Sequence, residues 1–256
     1  MHYHSIYMSL ENSRINILNC PIDNLSMQAT IELIDLAISK GESIQHIVVN
    51  AAKLANIQHD RVLFDSIVNS DIINADGQAV VWASRFLGKS LPERVAGIDL
   101  MQNLVKLAYD NGYKIFFFGA KEEVVKKVVE IYSKQYSQGI IAGYRNGYYS
   151  KEDEKNIANQ IADSGANILF VAISSPTKEI FLSQNSDLLR RVSFTMGVGG
   201  SFDVVAGVVK RAPLWMQKVG LEWFYRFLQE PGRMWKRYLV TNSLFIWYVL
   251  KEKFKR

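Results

Sequence analysis

The chain has 256 residues, 48% of them apolar and 21% charged, with 30 Lys+Arg against 25 Asp+Glu and a formal charge of +5. That length and composition exclude a disordered chain and supply enough apolar residues for one large domain or two small ones. The single cysteine, Cys20, excludes an intramolecular disulfide and a multi-cysteine zinc site. No apolar run approaches the roughly 18 residues of a membrane span, and the start MHYHSIYMSL has no basic-then-apolar leader pattern. The expectation is a soluble intracellular globular protein.

In chain order, helical spacing over Leu25–Ser39 is followed by an apolar strand over Ser43–Asn50 and a helix over Ala51–Val68. Strand Asp71–Ala75 then leads into helices Gly77–Leu87 and Asp99–Asn111. Strand Tyr113–Gly119, helix Glu122–Gln135, strand Gly139–Gly143, helix Glu152–Ser164 and strands Ala166–Ile173 and Val192–Met196 continue the alternation. Ser150 followed by Glu154 is close to a capped helix start. This pattern predicts an α/β fold with a mostly parallel, Rossmann-like sheet flanked by helices, its ligand cleft at the carboxyl ends of the strands.

After Gly207 the alternation stops, and helices are expected over Leu214–Gly220, Leu221–Gln229 and Arg233–Arg256, broken at Gly220 and Pro231-Gly232. Residues 210–256 hold 11 Lys+Arg against 3 Asp+Glu, a net of +8, whereas residues 1–209 carry −3. The same segment holds 11 of the 30 aromatic residues and four of the five tryptophans. The expected division is therefore a catalytic body over 1–209 and a basic, aromatic helical appendage over 210–256.

Such an appendage suits a polyanionic surface, either lipid headgroups or nucleic acid. Its last helix places Leu239, Ile246, Leu250 and Phe254 on one face, with Val240, Leu244 and Trp247 beside it. Trp247, Tyr248, Lys251, Lys253, Lys255 and Arg256 have the aromatic and basic character of a helix lying on a membrane. Packing on the body, or on a second copy in a homo-oligomer, would use the same pattern. Removal of 239–256 is expected to weaken membrane recovery and to leave a folded body.

No Walker loop or complete GxGxxG is present, and none of His2, His4, His46 and His59 has metal-ligand spacing to another. No Asp-x-Asp pair offers a seat for a nucleotide-bound divalent ion, so the expectation is metal-independent chemistry with no cofactor. The remaining candidates are polar or small residues at predicted strand ends. Asn50 closes its strand. Asp76, between a strand and Gly77, is placed either to cap the next helix or to accept a proton in the cleft. Gly119 lets the chain approach a ligand closely. Pro176, Lys178 and Glu179 open a helix whose N-terminus suits an anion. Asp203 follows the turn Gly197–Gly200, where it could equally cap a short helix.

The segments ADGQAVVWASRFLGKSLPERVAGIDL (75–100), FFFGA (116–120), SPTKE (175–179), MGVGGSFDVVAGVVKRAP (196–213) and GLEWFYRFLQEPGRMWKRY (220–238) resemble the WecG/TagA/CpsF glycosyltransferase family from about residue 15 onward. The resemblance implies an inverting transferase taking a sugar from a UDP-sugar donor to a sugar carried on a membrane polyprenyl diphosphate. N-acetylmannosamine or its uronic acid is the first donor to consider, in bacterial surface polysaccharide or teichoic acid synthesis. It further implies that Asp76 is the catalytic carboxylate, that Arg94 lies near the donor diphosphate, and that Asn50 lines the cleft. Arg226, Arg233 and Arg237 would then help close the site at the inner face of the cell membrane, making the protein cytoplasmic and peripheral. Where the family commonly has Gln, this chain has Lys178, which brings three donors and a charge but no acceptor oxygen. The competing readings are a nucleic-acid-binding module using the basic aromatic tail and an inert sugar-nucleotide-binding partner.

Overall fold

A computed structural model of the chain describes residues 14–255, without the side chains of Arg233, Met234, Lys236, Arg237 and Tyr238. Six parallel strands form the central sheet in the order β4-β3-β8-β7-β5-β6. They are β3 (Ile44–Val49), β4 (Ile72–Ala75), β5 (Ile115–Gly119), β6 (Ile141–Arg145), β7 (Ile168–Ala172) and β8 (Phe194–Gly197). The predicted parallel α/β architecture is present, including a C-terminal helical segment.

Strand residues of alternate parity build opposite cores, as the two-residue period of a strand requires. On one face Val48, Phe117, Phe170 and Met196 pack under α1 (Met27–Ser39), α5 (Gly97–Asn111), α6 (Glu122–Gln135) and α10 (Ser201–Val205). On the other, Ile47, Val49, Ile73 and Ala75 meet α2 (Ala51–Asn56), α3 (Arg61–Val68) and α4 (Gln78–Phe86). Farther along that face, Phe116, Phe118, Leu169 and Val171 meet α7 (Glu154–Ala162), α8 (Thr177–Gln184) and α9 (Ser186–Leu189).

Three local features differ from the sequence reading. The helix expected over Ala51–Val68 is two helices, because Asp60 accepts a hydrogen bond from the Leu63 backbone N–H at 2.9 Å and starts α3 as its N-cap. A hairpin of β1 (Arg14–Ile17) and β2 (Cys20–Asp23) precedes the body, turning through Leu18 and Asn19 at positive φ. It seals the edge of the sheet, where the Asp23 carboxylate accepts from Ile73 N at 2.7 Å. Finally, the break between the last two helices falls at Glu230, and Pro231 and Gly232 already belong to the first turn of the last helix, where the missing N–H of Pro231 costs nothing.

The tail comprises α11 (Leu214–Lys218), α12 (Glu222–Gln229) and α13 (Pro231–Phe254). The α13 helix lies against α2 and has two distinct faces. Its inner face sends Phe245 and Val249 into the core shared by β3, β4 and α4. Glu252 accepts from the Leu18 backbone N–H at 2.7 Å and pairs with Lys89 at 2.8 Å, and the Tyr248 hydroxyl meets His59 Nε2 at 2.5 Å. Its outer face exposes Leu239, Val240, Ile246, Trp247, Leu250 and Phe254, the stripe picked out by the sequence apart from half-buried Leu244. Removal of 239–256 would therefore uncover core side chains, which argues against the expectation that the body stays folded without them. Among the described residues no helix is long and apolar enough to cross a membrane.

Candidate active site

The carboxyl ends of the strands carry the polar residues singled out from the sequence. Asn50 and Asp76 stand at the tips of neighbouring strands, β3 and β4. Asp76 N donates to Val49 O at 2.9 Å, and a Cβ on Gly77 would lie 3.5 Å from the Asn50 Cβ. The Asn50 side-chain oxygen caps α2, accepting from Lys53 N at 3.1 Å. Asp76 does not cap the helix that follows it. Its Oδ1 instead accepts from Gly97 N, at the start of α5, at 3.0 Å. The carboxylate is thus held in place while half-buried, facing the mouth of the sheet.

Arg94 is brought to the same place by the backbone. Val95 N donates to Ala75 O at 2.8 Å, which fixes the loop before α5 beside the tip of β4. From the tail, α12 reaches the same corner. Gly220, at φ +73°, lets the turn into α12 press against α4, where a Cβ would lie 2.9 Å from both Gln78 and Trp82. Glu222 of α12 then pairs with Arg94 at 2.9 Å, and lies 3.7 Å from Arg211 and 3.8 Å from Arg226. Arg211 makes a two-pronged pair with Asp99, at 2.5 and 2.8 Å, and Asp76 is within its electrostatic reach.

Arg211, Asp99 and Glu222 were not singled out by sequence reasoning. The only signal was their place inside the quoted segments, since Asp99 lies more than a hundred residues before Arg211 and Glu222 in the chain.

A second charged group bridges the ends of β3, β8 and β7. Glu179, 1% exposed, lies between Lys53 Nζ at 3.0 Å and Lys178 Nζ at 2.6 Å. Burial pushes its carboxyl up, but Lys53 and Lys178 outweigh it and hold the group down at about 2. The Lys178 stem lies across Gly197, so this side chain is buried in the bridge and not extended toward solvent. Pro176 is exposed at the start of α8, after a cis Ser175–Pro176 peptide.

Gly119 ends β5 at φ +126°, and a Cβ there would lie 2.5–2.7 Å from the Ala172 backbone. Asp203 lies within α10 and does not cap it; its backbone oxygen accepts from Val208 and Val209. The structure therefore joins Asn50, Asp76, Arg94 and Arg226 at one end of the sheet. Gly119 lies at the tip of β5, separated from β8 by β7. The side chains of Arg233 and Arg237, and Arg256 as a whole, lie outside the described residues.

Of the remaining reactive groups, Cys20 is buried and its thiol is pushed up to about 12 by that burial, which removes it as a nucleophile. His46 is fully buried, its Nε2 donating to Asn74 Oδ1 at 2.9 Å, and burial pulls it down to about 4. Among the described residues no three of His, Cys, Asp and Glu gather as a metal-holding group.

The profile of the glycosyl transferase WecG/TagA/CpsF family matches residues 15–256. An N-acetylglucosaminyldiphosphoundecaprenol N-acetyl-beta-D-mannosaminyltransferase of Bacillus subtilis (strain 168) is 40% identical over 197 residues, covering 77% of this chain and 75% of that protein. A protein of the same name from Bacillus spizizenii (strain ATCC 23059 / NRRL B-14472 / W23) is 37% identical over 191 residues, covering 74% and 72%. With the match running from the first strand to the last helix, the chain belongs to the glycosyl transferase WecG/TagA/CpsF family.

Proposed function

We propose that this chain transfers an N-acetylmannosaminyl group from a UDP-sugar to N-acetylglucosamine carried on a polyprenyl diphosphate, with inversion at the anomeric carbon. The observation that carries the reading is the meeting of Asp76 with a cluster of arginines at the end of a parallel sheet. In the reaction the acceptor hydroxyl oxygen forms a bond to the anomeric carbon, and its proton passes to the Asp76 carboxylate. The bond from that carbon to the donor diphosphate breaks on the opposite side, and UDP leaves with the electron pair. Arg94 and Arg226 neutralise the charge that grows on the departing diphosphate. The Asp76–Gly97 hydrogen bond fixes one carboxylate oxygen and leaves the other to face the hydroxyl.

A membrane-borne acceptor fits the tail. Leu214, Trp215, Trp223, Leu228, Trp247 and Phe254 all present exposed apolar surface on α11–α13. Lys251 and Lys255 are exposed near the end of α13. Wide apolar faces edged with lysines favour an anionic bilayer surface, which would place the chain at the inner face of the cell membrane. Neither the family nor the two relatives support the nucleic-acid reading.

The direct test supplies the purified chain with UDP-N-acetylmannosamine and a lipid-linked N-acetylglucosaminyl diphosphate, and measures UDP release. Release that requires both substrates is the expected result. Release independent of the lipid acceptor, or transfer from every other UDP-hexose but this one, would refute the assignment.

A further inference from the structure

We propose that Glu222 is a positioning residue for the donor diphosphate: it gathers the guanidinium groups of Arg94, Arg211 and Arg226, the first of them 128 residues away in the chain, into one cluster beside Asp76. The inference rests on the glycosyl-transfer reading above. Arg94 comes from the loop ahead of α5, Arg211 from the segment ahead of α11, and Arg226 from α12. All three reach the same carboxylate, at 2.9, 3.7 and 3.8 Å.

Like charges at such separations repel, and without an anion among them they would spread into water. Arg211 is already neutralised by its two-pronged pair with Asp99. What Glu222 adds is the connection between Arg94, on the body, and Arg226, on the tail. The Glu222 and Arg94 side chains are each 16% exposed, so this contact is largely out of water and its geometry is held.

A guanidinium offers five N–H donors in a fixed fork, and Arg94 directs only its Nη1 group to Glu222. Among the described residues its other donors meet no protein acceptor, which leaves them for diphosphate oxygens. Glu222 therefore orients cations for the leaving group without taking part in proton transfer, and it makes the seating of α12 a condition of donor binding.

Calorimetric titration of UDP into the full chain tests this, comparing the wild type with Glu222→Gln, Glu222→Asp, Arg94→Gln and the Glu222→Gln/Arg94→Gln double variant. Loss of the oriented contact in Glu222→Gln is expected to weaken UDP binding about tenfold to a hundredfold. Glu222→Asp, which keeps the charge on a shorter stem, is expected to lose less; it also provides the reading if Glu222→Gln does not fold. The double variant is expected to lose clearly less than the sum of the two single losses, because Glu222 acts in large part through Arg94. Unchanged or tighter UDP binding in a folded Glu222→Gln variant, or additive losses in the double variant, would overturn the proposal and leave the glycosyl-transfer reading standing. Failure of the wild type to bind UDP would bring down both.

Discussion

The two faces of α13 make opposite predictions for residues two positions apart. Phe245 is 5% exposed, within the core formed with β3, β4 and α4, whereas Trp247 is 53% exposed. Truncating a buried phenylalanine removes its transfer free energy and leaves a cavity, together about 3–5 kcal/mol. That is a large part of the ~5–15 kcal/mol that holds a domain of ordinary stability together. Trp247 contacts Lys251, 4.8 Å from its ring centre, and the Tyr248 ring at 5.0 Å, both on its own helix. Its truncation is expected to cost about 1 kcal/mol or less. Urea unfolding of Phe245→Ala and Trp247→Ala, followed by circular dichroism, measures both. Sedimentation with anionic liposomes provides the complementary readout: Trp247→Ala loses binding several-fold while its stability is kept. A Phe245→Ala variant within 1 kcal/mol of wild type would refute the docking of α13 on the body. The same reasoning predicts that deleting 239–256 compromises the body itself.

Three further outcomes follow from buried groups. The His46 value is about 4 in the folded chain against 6.5 ordinarily, so the unfolded chain binds more protons between these pH values and stability falls as pH is lowered through that window. At pH 5 the loss is about 2 kcal/mol relative to neutral pH, and His46→Gln should flatten this dependence in denaturant titrations; an equally steep profile would contradict it. Glu179, held at about 2, stabilises the fold above its ordinary value of 4.5 and loses that contribution as pH falls toward 2. Glu179→Gln leaves Lys53 and Lys178 without their anion at a cost of about 3 kcal/mol or more at neutral pH, visible as a lowered Tm. Gly119→Ala forces a Cβ into the Ala172 backbone at positive φ and should destabilise by about 3 kcal/mol; an unchanged Tm would show that β5 and β7 part more easily than their pairing indicates.

The central strands were legible because each is a short apolar run between turn residues. Both of their faces are covered by helices, so no polar alternation obscured them. The β1–β2 hairpin was not legible: RINI and CPID are short, and their pairing depends on Leu18 and Asn19 accepting positive φ. The division of Ala51–Val68 turned on one side chain, Asp60, whose capping competes with an otherwise continuous helical pattern. Asn50 and Asp76 could be found because strand-end polar residues in a parallel sheet point to the cleft. Glu222 and Arg211 could not, because their meaning arises when the tail folds back on α4 and the loop ahead of α5. The outer stripe of α13 was visible from its period, while its inner face of Phe245, Val249 and Glu252 was revealed by what it touches.

Sugar transfer by this chain depends most on Asp76 as the group that takes the acceptor proton. Its direct test is the turnover of Asp76→Asn with UDP-N-acetylmannosamine and lipid-linked N-acetylglucosaminyl diphosphate, beside a calorimetric check that UDP still binds. The amide can still accept from Gly97 N but cannot take a proton, so UDP binding should be retained while turnover falls by at least about 100-fold. An Asp76→Asn enzyme that keeps most of its turnover would contradict the account.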